Sequence, residues 1–308
     1  MERRSQFAKL PSASTCVNVH VIDRVHVQDF HLISSRPCRA YTKAIQPIVA
    51  LRLIFSLGQR EKGMVIYKVT ISKEQLSLFP EKERVLFIQI GHLANELTIL
   101  TKLLIYAHKD SEIDAIRKAY TTQASIISRI CIGKIFEGWR LLESSLFASG
   151  LSKKYEAKLP PAGSEALKKL KKYFGKKNLI SEIRNRFSFH NPSFEEVRDL
   201  LASIPQEAEL TMYLGTQVAN SNYYLSEEII SRAMLAYIAS DNFAHAMDKM
   251  HKELSEVSGW LVEFCGHCMV ALSEEYWSQC KEDLLLEEIN VQSQGNIRDF
   301  TIPFFVER

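Results

Sequence analysis

The stretch IRNRFSFHNP, residues 183–192, sets Arg184, Asn185, Arg186 and His190 close together in an otherwise apolar run. A guanidinium grips phosphate oxygens through paired N–H donors and stays charged at any physiological pH. An imidazole, with an ordinary pKa near ~6.5, gives or takes a proton at neutral pH. Together they supply what RNA cleavage by 2′-hydroxyl attack needs without a metal: stabilisation of the charge on a phosphorane-like state, and a proton carrier. A plainer reading stands beside this one. Arg184 and Arg186 pair with Glu182, Glu195 or Glu196 on the surface, each pair worth at most ~1 kcal/mol, and His190-Asn191 caps a helix.

Just upstream, KKLKKYFGKK carries Lys168, Lys169, Lys171, Lys172, Lys176 and Lys177 with no acid among them. Such a run most often forms a solvated face. Beside a phosphate-handling site it raises affinity for a polyanion without reading sequence. A third candidate is CGHC at residues 265–268, the tetrapeptide of thioredoxin-like redox sites. That chemistry needs the first cysteine at a strand end and helix start, where its pKa is lowered. Here the flanks, GWLVEF and MVALSEEYW, have helical periodicity, so Cys265 and Cys268 read as packed helix residues. A metal site using His267 lacks a second Cys/His pair at ligand spacing. The chain has no phosphate-binding glycine loop, dinucleotide fingerprint, His-Glu-x-x-His or Gly-x-Ser-x-Gly motif,. Neither a metal nor a cofactor is expected.

The elements that must position these residues are helical. Only 12 Gly and 9 Pro in 308 residues leave long uninterrupted stretches, and 46% hydrophobic residues supply a core,. From Glu81 to Lys109, Leu86, Ile90, Leu93, Leu97, Leu100 and Leu104 recur at three- and four-residue steps, which predicts a long helix. Ile116, Tyr120, Ala124, Ile127, Cys131 and Ile135 predict a second over 111–149, antiparallel to the first. A loop is expected over 150–164, with Ser164 capping a short helix that breaks near Gly175. Ile180, Ile183 and Phe187 anchor the helix that bears the candidate motif, and Asn191-Pro192 ends it. Ser193 with Glu196 forms a capping-box pattern for the next helix. Residues 205–225 read as a hairpin or irregular connector. Helix resumes from Ser226 to about Leu286 with a bend near Ser258-Gly259, and the tail is extended.

Residues 1–63 differ from this pattern and read as a poorly ordered extension, with the regular sequence opening at Met64. They hold ten Lys/Arg against four Asp/Glu, which leaves residues 64–308 at net −3 although the whole chain is at +3. The main body is therefore not a globally basic nucleic-acid binder; any RNA contact comes from a local patch. The longest apolar runs, IQPIVALRLIFSL and LTILTKLLIYA, are interrupted by Arg52 and Lys102 and fall short of the ~20 residues that span a bilayer. A cytoplasmic setting without a membrane partner is expected, and Cys131 reads as a small buried hydrophobe.

Arg184-Asn185, followed at Arg-polar-x(3–5)-His spacing by His190, resembles the signature of the HEPN superfamily. The resemblance is specific only over this short motif. It implies an all-helical bundle, 64–308 as a single domain, and a homodimer in which two motifs share one cleft. It also implies metal-independent endoribonuclease activity on RNA, in defence or toxin–antitoxin systems, with an antitoxin or regulatory protein as a further partner. In these terms His190 is the acid/base group, Arg184 the phosphate anchor and Asn185 the orienting residue, with Arg186 and the lysines as RNA contacts. Some members of the superfamily bind without cleaving, so a non-catalytic RNA-binding or protein-interaction module is the alternative. A thiol oxidoreductase ranks third.

Overall fold

A computed structural model describes residues 64–239, 242–277, 285–292 and 294–307; the expectations for 1–63 lie outside the described residues. The architecture is all-α with one small sheet. Strand β1 (Met64–Thr70) leads into helices α1 (Lys73–Ser77), α2 (Glu81–Ala107), α3 (Asp114–Leu142), α4 (Leu151–Tyr155), α5 (Pro161–Phe174) and α6 (Leu179–Ile183). Helices α7 (Phe194–Ser203), α8 (Tyr224–Ile238) and α9 (Phe243–Trp277) follow, and strand β2 (Leu285–Val291) pairs antiparallel with β1. No helix among the described residues is long and apolar enough to cross a membrane.

The predicted stripe on α2 is the one that packs: Leu86, Ile90, Leu93 and Leu97 are buried, and Leu100 and Leu104 rest against the core. They meet Ile132, Ile135 and Leu142 of α3 and Leu254, Leu261 and Phe264 of α9 in one continuous cluster. At its floor Phe79, Phe87, Tyr276 and Trp277 form an aromatic group with centroid separations of 4.9–5.7 Å. Phe87 meets both Phe79 and Trp277 edge to face, as the ring quadrupole favours,.

Several sequence expectations change. In the first half of α3 the buried positions are Ala119, Thr122, Ser125 and Ser128, not Ile116, Tyr120, Ala124 and Ile127. The reason is a polar seam against α8. Arg129 Nη2 donates to Glu227 Oε2 at 3.0 Å, Arg129 Nη1 to Ser125 Oγ at 3.1 Å, and the hydroxyls of Ser125 and Ser231 are 2.9 Å apart. Residues 150–164 are not a loop: α4 and a 3₁₀ turn at Glu156–Lys158 fill them, and Pro161 opens α5 in the first-turn position that needs no N–H,. Ser164 thus lies inside the helix. α9 runs unbroken through Ser258-Gly259, and the break falls before it, where the Asn242 side chain caps the amide of His245 at 2.9 Å. Leu285–Val291 is strand, with Lys68 and Glu287 paired across it at 3.0 Å. The connector is irregular, as expected, with one isolated bridge between Tyr213 and Asn222.

A histidine pair joins α2 to α9. The rings of His108 and His251 meet edge to face at 5.6 Å. Burial, with a smaller contribution from His108, pushes the His251 pKa down to about 4, so the native state holds it neutral. Between 6.5 and about 4 the unfolded chain carries the extra proton, so stability falls as pH drops through that window, by at most about 3 kcal/mol,. Urea titrations across this range are expected to show that loss in the wild type and a smaller one in His251→Phe; superimposable pH profiles would remove the assignment.

Candidate phosphate-binding face

The candidate motif sits on a widened turn. After α6 the backbone continues as a π-turn, Arg184–Ser188, and exits at Phe189. Ile180, Ile183 and Phe187 all enter the core, as their spacing predicted. One-turn π-segments recur at functional sites because the extra residue re-aims side chains. Here it turns Arg184 toward α3, where Nη2 and Nε donate to Glu137 Oε1 at 2.6 and 3.2 Å. Its Nη1 also donates to Asn185 Oδ1 at 3.2 Å, and the guanidinium lies 4.9 Å from the Phe136 ring centroid. Arg184 is half-buried and fully engaged. Glu137 was not among the partners the sequence suggested, because it lies 47 residues away on another helix.

Arg186 faces outward over the Tyr237 ring at 4.6 Å and approaches Glu196 at 4.0 Å. Glu196 is held by its capping box, accepting from the Ser193 amide at 2.8 Å. His190 is exposed and makes no hydrogen bond or ion pair with any described residue. Arg184 and His190 are therefore differently placed: one is tied to α3, the other is exposed, with no described residue orienting its ring. Phe189, next to His190, packs on α3 where Gly133 leaves space; a Cβ there would lie 2.3 Å from the ring.

The lysine run forms a face for a simple reason. Gly163, Ala166, Leu167 and Leu170 are the buried stripe of α5 against α9, so Lys168, Lys169, Lys171 and Lys172 must point out,. Lys171 is paired with Glu156 at 2.7 Å and Lys169 lies 5.7 Å from the Trp260 centroid. Lys168 reaches Glu165 only at 3.9 Å, and the ammonium groups of Lys172 and Lys176 meet no carboxylate among the described residues. Lys177 meets Glu182 at 3.4 Å, and the Tyr237 hydroxyl donates to Glu182 at 2.6 Å. That hydroxyl, then Lys177, holds the Glu182 carboxyl below its ordinary pKa. Through Lys177, Glu182, Tyr237 and Arg186 the lysine face is continuous with the π-turn. Tyr237 is the link that sequence reasoning missed, and nothing local to residue 237 signals it.

CGHC lies mid-helix in α9 with both thiols buried. Burial pushes the Cys268 thiol up to about 12 and Cys265 higher still, so neither provides the thiolate that redox exchange requires,. Cys131 is also raised to about 12 by burial. His267 packs on α5 at Gly163, where a Cβ would come within 2.7 Å. The motif is a helix contact, and the redox reading is set aside. No group of three or more His, Cys, Asp or Glu that could hold a metal occurs among the described residues. Compared with protein-family models, curated proteins and solved structures, the chain matches none.

Proposed function

We propose that this chain is a helical RNA-binding module that grips the phosphate backbone with the lysine face of α5 and its continuation toward the π-turn. The observation that carries the reading is the set of exposed cations, Lys168, Lys172 and Lys176, on a body that is slightly negative even with them counted. Packing of α5 on α9 holds Lys168 and Lys172 outward, so their mutual repulsion is offset by the core, and Lys176 is exposed just past the helix end. RNA is favoured over other polyanions by the HEPN-like motif alone. Lys172→Glu with Lys176→Glu is expected to weaken binding of a labelled RNA by at least about tenfold. It is also expected to flatten the log-affinity against log-salt slope by roughly 0.7 for each phosphate that the variant no longer neutralises. Unchanged affinity in the double variant would dismiss the reading.

A second reading, a metal-independent endoribonuclease of HEPN type with its cleft shared between two copies and held in check by an antitoxin-like protein, is favoured by one feature. Exposed His190 and Asn185 have no structural duty comparable with that of Arg184. The Arg184–Glu137 pair is partly exposed and worth about 1 kcal/mol or less, so a phosphate can displace the carboxylate,. The binding reading ranks first because no described residue orients His190. Incubating RNA with the wild type and His190→Ala in EDTA separates the two. Equal, negligible cleavage is expected; cleavage by the wild type alone would establish the nuclease.

A further inference from the structure

Phenylalanine is among the residues most often buried, and every buried Phe removes on the order of 150–250 Å² from water. On the segment that carries His190 two phenylalanines do the opposite. Phe189 is 56% exposed and Phe194 is 76% exposed. They flank the His190–Ser193 segment, and each has a local anchor. Phe189 is braced against α3 at Gly133. Phe194 opens α7 directly after the Ser193 cap, whose hydroxyl accepts from the Glu196 amide at 3.2 Å while the Glu196 carboxylate accepts from the Ser193 amide. Both rings are thus displayed from anchored ends of one short segment.

We infer that Phe189 and Phe194 are base-stacking platforms that restrict the proposed RNA site to unpaired strands. The inference rests on the RNA-binding reading and adds the substrate class. Every nucleobase has a π-face, so an exposed aromatic side chain beside a cationic track holds bases without reading sequence. A duplex keeps its bases stacked inside and offers only backbone to such a surface. Lys177 is linked to Arg186 through Glu182 and Tyr237, and Phe189 and Phe194 follow Arg186 within eight residues of sequence. Glu196 Oε1 stands 4.0 Å from Arg186, beyond hydrogen-bond distance, while Oε2 is held by the Ser193 amide, so the guanidinium keeps donors free for a phosphate. A protein surface could also cover two exposed phenylalanines. The adjoining cations favour an anionic strand, and the test keeps protein contact as a separate outcome.

The test uses a short fluorescein-labelled RNA, alone and annealed to its complement, with the full chain and its variants at fixed salt. Phe194→Ala is expected to weaken binding of the single strand by about tenfold, within the range for loss of one stacked base, and to leave duplex affinity within about twofold. Phe194→Trp, which keeps the π-face, restores single-strand binding. Phe194 is largely exposed, so its removal leaves the core intact. Equal binding of the single strand by wild type and Phe194→Ala overturns the inference, as does a change in sedimentation from dimer to monomer in Phe194→Ala without RNA. The RNA-binding reading fails separately, if Lys172→Glu with Lys176→Glu costs no affinity for either RNA, and the inference then falls with it. Weaker binding by the lysine variant with none in Phe194→Ala retains the basic face and rejects the platforms.

Discussion

Glu227→Ala is expected to destabilise the protein by about 3–5 kcal/mol, read from urea denaturation at neutral pH. Arg129 and Glu227 are among the least exposed charged side chains described, at 12% and 10%, and form a two-pronged pair between α3 and α8. Removing the carboxylate leaves the guanidinium with the Ser125 hydroxyl, which carries no charge to balance it. The cost is that of an uncompensated buried charge, which greatly exceeds the net worth of the intact pair. For the same reason Arg129→Met combined with Glu227→Leu should recover most of the loss, since it removes both charges at similar volume. A single variant within about 1 kcal/mol of wild type would show that the seam is hydrated and the pair dispensable.

The second large effect is expected at Trp139. Its ring lies parallel to Phe174 at 4.8 Å and 9°, and its indole N–H donates to Glu143 at 2.9 Å. Trp139→Ala should cost about 3–5 kcal/mol, the range for emptying a large aromatic site. Trp139→Phe, which keeps the stack and loses the hydrogen bond, should cost less. Phe174 closes α5, so the alanine variant should also loosen the end of the lysine face and, on the RNA-binding proposal, weaken RNA affinity more than distant core variants of equal stability. Equal affinity in two variants matched for stability would separate the core from the binding face.

Which features the sequence disclosed follows from how local their causes are. The α2 stripe, the anchors Ile180, Ile183 and Phe187, and the Ser193–Glu196 capping box depend on periods or spacings within one element, and all are found in the fold. The first half of α3 went astray because counting apolar positions assumes an apolar neighbour. Thr122, Ser125 and Arg129 are set against Asn222, Ser231 and Glu227, and that match exists only in three dimensions. Asn242 carried a local cap signal that a Ser-Gly pair overshadowed; in α9 Gly259 has no neighbour within 4 Å of its would-be Cβ and is simply carried along the helix. At the candidate site the sequence identified the polar residues but not their duties. Arg184 is committed by Glu137 from α3, and Arg186 is placed by Tyr237 from α8.

The β1–β2 ribbon has a consequence for the order of assembly. Lys68 and Glu287 are 219 positions apart, so closing that loop in a disordered chain costs roughly 5 kcal/mol from the length-dependent entropy alone,. A lone two-stranded ribbon is marginal in water and cannot offset this. The helices must first bring the two strands within reach, after which zipping them costs little. The ribbon is thus the last element to form and the first to open, and hydrogen exchange at its amides would report fraying at the closure point well before the helical core unfolds.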